Sequence, residues 1–149
     1  MKEQMNEIYG LIKQFCTPSG VPSIPDNFPI EFPLKTREDL QRLEDYLSDR
    51  EKQNTVSLYL STLGGDTVTT RTNRILKHVL TNELAKGFNF AGQKNRKEGF
   101  AKLHLKTVII RAVQIKSPSS TEAAIETAIK TWLKHASDRI KEKEKKNNN

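Results

Sequence analysis

Five of the six prolines in this chain lie between residues 17 and 33, in the run TPSGVPSIPDNFPIEFP. A proline fixes its own φ and removes a backbone donor, so neither a helix nor an inner strand passes through such a run. The sequence predicts an extended, stiff linker over 17–33 and confines the folded part of the chain to the residues after it. From Leu34 onward the apolar residues recur at three- and four-residue steps, which makes the expected fold class all-α: a compact multi-helix domain over 34–140. With 149 residues and a hydrophobic content of 35%, the chain has material for one modest core.

Ahead of the linker, Met5, Ile8, Ile12 and Phe15 share one face of a short amphipathic helix over 1–16. A helix this short is marginal alone, so these four residues are the candidate oligomer contact, either in a homodimer or with a partner protein. Inside the domain, Thr36 and Asp39 have the spacing of a capping box, with Leu40, Leu43 and Leu47 next on a helix to about Ser48. A second helix carries Val56, Tyr59, Leu60 and Leu63 and ends at Gly64-Gly65. Asp66 or Thr67 caps a third, with Val68, Ile75, Leu76, Val79 and Leu80 inward, and Thr81 caps a further short helix through Leu84 and Ala85 to about Lys86. Residues 87–99 read as a loop, with three glycines, two asparagines and no periodicity. Helix resumes near Phe100 and runs past Val113, although the β-branched run at 107–110 leaves a strand open. Ser119 with Glu122 opens the last helix, which reaches Ile140, and the basic tail over 141–149 is expected to be disordered.

Charge is distributed unevenly along this framework. Between Arg71 and Lys116 stand eleven basic residues and two acidic ones, Glu83 and Glu98; that local net of +9 exceeds the +7 of the whole chain. Arg71, Arg74 and Lys77 recur every third residue on the third helix. Lys94, Arg96 and Lys97 crowd the loop, and Lys102, Lys106 and Arg111 continue the field on the next helix. A solvated surface normally mixes signs, so a stretch this short of acids points to a polyanion as partner.

Other constellations have plainer readings. Phe88 and Phe90 beside the basic loop are the kind of aromatics that stack on bases, but core packing is the commoner use, and the same holds for Trp132 on the Ile125/Ile129/Leu133 stripe. Gly64-Gly65-Asp66-Thr67 lacks the Gly-Lys-Ser/Thr core of a phosphate loop and reads as a helix stop and start. His78, His104 and His135 are dispersed and Cys16 is the single cysteine, so the chain is expected to hold no metal and no cofactor and to carry no catalytic residues. The lone cysteine and the absence of an apolar run of ~18–20 residues predict a reduced, intracellular protein off the membrane, in the nucleus ahead of the cytosol.

The order FPLKTREDLQRLEDYL, LSTLGG, TRTNRILKHVLTNELA, FNFAG and AIKTWLKHASDRI, from about Phe32 to Ile140, resembles the metazoan family catalogued as Domain of Unknown Function 4806. That resemblance implies a domain that commonly comes after a coiled-coil segment and a Pro-rich linker, often in transposon-related genes; here the upstream segment is only about sixteen residues. A looser outline, a basic helix at Arg71 to Leu80 and then Thr81-Asn82-Glu83-Leu84, is similar to the BEN domain, a helical module that binds DNA or mediates contacts in chromatin. The expected function is therefore a non-enzymatic nucleic-acid-binding module, DNA ahead of RNA, using Arg71, Arg74, Lys77, Lys94, Arg96, Lys97, Lys102, Lys106 and Arg111. The alternative is a protein-interaction or oligomerisation domain with no nucleic-acid role.

Overall fold

The computed structural model of the protein describes residues 28–92 and 97–147. Seven α-helices make up most of it, so the domain is all-α as expected. They are α1 (Arg37–Tyr46), α2 (Arg50–Ser61), α3 (Val68–Val79), α4 (Asn82–Ala85), α5 (His104–Lys116), α6 (Glu122–Lys134) and α7 (Ala136–Asn147). The amphipathic helix expected over 1–16, with its four contact residues, lies outside the described residues, as does the linker as far as residue 27.

Short polar side chains set most helix starts. Thr36, Asp49, Thr67 and Thr81 each accept a hydrogen bond from a backbone N–H in the first turn of the helix they open. At α1 the carboxylate of Asp39 accepts from the N–H of Lys35 rather than of Thr36, a variant of the expected box. The cap of α6 is Thr121, which accepts from Ala124, and not Ser119. Two nearby serines are engaged elsewhere: the Ser117 and Ser120 hydroxyls bond to each other.

The core is built by α5, which lies against α2 and α3, while α3 also packs on α6 and α4 on α7. Leu43, Leu47, Leu60, Ile75, Leu76, Leu105, Ile109, Ile125 and Ile129 fill the middle and are fully buried. Two buried hydroxyls show how polar groups are satisfied there. Ser57 donates to the Val108 carbonyl across the α2–α5 contact, and Thr72 donates to Val68 one turn back. The β-branched run at 107–110 is helical, since Val108, Ile109 and Ile110 all meet the core there.

Two stretches depart from expectation. Within 87–99 lies a pair of two-residue strands, β1 (Phe88–Asn89) and β2 (Glu98–Gly99), paired in parallel. Phe88 and Phe100, both buried, meet edge to face at 6.3 Å and root this segment in the core. The second is the tail: in place of the disorder expected over 141–149, α7 continues to Asn147. Residues 141–146 are exposed, so packing does not hold them; lysine and glutamate are good helix formers, and Glu142 stands four residues before Lys146.

The last part of the Pro-rich run is docked on the domain. Leu34 is buried; its N–H donates to Val79 and its carbonyl accepts from Thr81, pinning the chain to the α3–α4 junction. Phe28 packs edge to face on Tyr46, and Phe32 lies tilted against His78, whose Nε2 is 2.9 Å from the Tyr59 hydroxyl. Burial in this aromatic cluster holds His78 below the ordinary histidine range. The unfolded chain therefore takes up a proton at about pH 6.5 that the folded chain resists, so stability should decline as pH falls below that value. Urea melts at pH 7.5 and 5.5 check this; His78→Phe is expected to narrow the difference between them, and an unchanged difference would acquit His78.

Candidate functional site

The acids of α1 and the bases of the second half interact less than their numbers allow. One pairing across the molecule is structural. The Glu44 carboxylate accepts from the N–H groups of His104 at 2.8 Å and Leu105 at 3.0 Å. It caps α5 from another helix, because Leu103 at the cap position has no side chain able to do so. Glu44→Ala should cost about 1–2 kcal/mol, the range for loss of a good cap, readable in a denaturant melt. In the sequence Glu44 looks like part of a plain polar surface, because its partners lie 60 residues away.

The basic residues named from the sequence do not all behave alike. Arg74 and Lys77 are exposed on α3, and Arg74 reaches back to the Leu63 carbonyl at 3.4 Å. Arg71 is half-buried, with its backbone and Cγ against Gly65; the φ of +128° at Gly65 and that close approach leave no room for a side chain there. Arg111 is turned to α2, where it donates to Gln53 and Asn54. Lys106 lies 3.9 Å from Glu122. Lys102 is exposed on the 3₁₀ turn Phe100–Lys102, and Lys97 is half-buried. Lys94 and Arg96 lie outside the described residues. Glu98 is ion-paired with Arg37, which removes one of the two acids of the basic stretch from competition.

What gathers cations is a groove of about 680 Å³ between α3 and α6. Its α3 wall is Thr69, Thr70, Asn73, Arg74 and Lys77. Its α6 wall is Ala124, Thr127, Ala128, Thr131 and Trp132, and His135 and Arg139 close one end. None of these residues is acidic. Arg139 is a site residue that the sequence reading does not single out. Its guanidinium stacks 4.0 Å from the centre of the Trp132 ring, donates from Nε to Asn82 and from Nη1 to the Trp132 carbonyl. That carbonyl is the acceptor an unbroken helix would offer to Ala136, which accounts for the break at His135 without proline or glycine. The seven-residue interval from Trp132 to Arg139, two helical turns, is the available signal.

Arginine stays charged in this setting even though burial lowers its affinity for the proton. His135 at the groove's end is 3.1 Å from Asp138, whose carboxyl that bond holds below the usual range. The lasting charge of the groove therefore comes from Arg74, Lys77 and Arg139. Phe88 and Trp132 are buried, as core residues are, while Phe90 is half-buried with the Lys130 ammonium 4.9 Å from its ring. Among the described residues no three histidine, cysteine or acidic side chains gather as a metal site, and no helix is long and apolar enough to cross a membrane.

A family model described as Domain of unknown function (DUF4806) matches residues 27–112, from the docked end of the Pro-rich run into α5. The α3 wall of the groove falls inside that match and the α6 wall beyond it. No curated protein and no solved structure matches the chain. None of these comparisons shows the likeness to the BEN domain.

Proposed function

We propose a role for this chain from one premise: it belongs to the family described as Domain of unknown function (DUF4806), so its role has to come from the chemistry of its own surface. That role is non-enzymatic binding of nucleic acid, DNA foremost, through the phosphate backbone. The supporting observation is the α3–α6 groove, where Arg74, Lys77 and Arg139 stand together with no carboxylate among the lining residues. Exposed cations such as Arg74 and Lys77 beside small polar side chains favour phosphate over any neutral ligand, and arginine adds a planar pair of donors. With the contacts made to phosphate, affinity should exceed sequence selectivity.

The groove narrows the set of nine sequence candidates. Arg74 and Lys77 lead it, and Arg139, itself bonded to Asn82 and the Trp132 carbonyl, adds charge at the groove's end. Arg111 and Lys106 already have protein partners and contribute less. Fluorescence anisotropy of the whole chain with labelled oligonucleotides, titrated from ~50 mM salt upward, tests the role. Binding that weakens steeply with salt is expected. Absence of binding to every oligonucleotide at ~50 mM salt removes it and leaves the protein-interaction alternative.

A further inference from the structure

We infer that the α3–α6 groove takes a single strand of nucleic acid rather than a duplex. This deepens the proposed function and rests on it. Two helices in contact lie about 8–10 Å apart axis to axis, so the furrow between them is narrower than even the ~12 Å major groove of DNA. A duplex resting on α3 and α6 would span the rims and leave the floor empty. An extended strand fits the available space: about 680 Å³ is the scale of a small-ligand site, and the floor is kept open by Ala124 and Ala128.

The charges are arranged for a strand lying in the furrow. Arg74 and Lys77 line the α3 side, so a backbone in the furrow meets its cations along that flank, while Arg139, bonded to Asn82 and the Trp132 carbonyl with its Nη2 buried, adds only its charge. The indole of Trp132 is already covered by Arg139 and only 7% exposed, which removes the aromatic platform that would draw bases inward. Phosphates therefore face Arg74 and Lys77 on the α3 wall, and the bases are left without a stacking partner in the furrow. The shared chemistry is the sugar–phosphate chain, in DNA or RNA.

The test compares oligonucleotides of about 20 nucleotides, as single-stranded DNA, single-stranded RNA and duplex DNA of matched sequence, at ~50 mM salt on the whole chain. Preference for either single strand over the duplex by about tenfold or more is expected, and the DNA and RNA arms show which strand is taken. Ala124→Phe, at an exposed helical position, should fill the furrow and lower single-strand affinity about tenfold while the circular dichroism spectrum stays unchanged. Thr131→Phe, also exposed, serves if Ala124→Phe does not fold. Equal or tighter duplex binding, or a folded filling variant that binds single strands as well as the parent, overturns the single-strand assignment and leaves nucleic-acid binding standing. No binding to any of the three overturns both.

Discussion

Exchanging Arg74 and Lys77 together for glutamate is expected to lower nucleic-acid affinity about 100-fold at ~100 mM salt, since each lost phosphate contact is worth about a factor of ten. The slope of log affinity against log salt should flatten by about two, one unit for each cation removed from the interface. Both side chains are exposed, so the midpoint of a urea melt should move little; surface changes of this kind stay within about 0.5 kcal/mol. A parallel double exchange at Lys106 and Arg111, whose partners are Glu122, Gln53 and Asn54, should weaken binding less. Equal losses from the two pairs would assign binding to diffuse surface charge and not to the groove.

The largest effect on stability belongs to Phe100. It is fully buried and meets Phe88 edge to face where the β1–β2 pair joins the core. Phe100→Ala should cost about 3–5 kcal/mol, of which the cavity left among well-packed neighbours is a large part. Phe100→Leu keeps most of the volume and should lose less than half of that. Guanidinium melts of the three proteins measure both numbers. A loss under about 1 kcal/mol in the alanine variant would mean that the segment collapses onto the gap or is not anchored there.

Much of the helical framework is legible in the sequence because apolar spacing is local. Leu40, Leu43 and Leu47 announce α1, and Ile75, Leu76, Val79 and Leu80 announce α3, before any neighbour is known. The features that escape depend on partners distant in sequence or on elements too short to show a period. Glu44 acts on a helix end 60 residues away, and nothing around it marks that use. Strands of two residues each carry no alternation to detect. The extent of α7 escapes because its last turns have no hydrophobic pattern and rest on helix propensity instead. The candidate site is half legible: charge counting finds Arg74 and Lys77, but only the packing of α3 beside α6 separates them from Arg111 and brings in Arg139.

The anchorage of Leu34 has a mechanical consequence. Tension applied through the N-terminal segment meets the Phe28–Tyr46 and Phe32–His78 contacts and then the Val79–Leu34–Thr81 hydrogen bonds. Those bonds sit at the last turn of α3, two residues beyond Lys77, so load that outlasts the aromatic contacts would pass into the helix that forms one bank of the furrow.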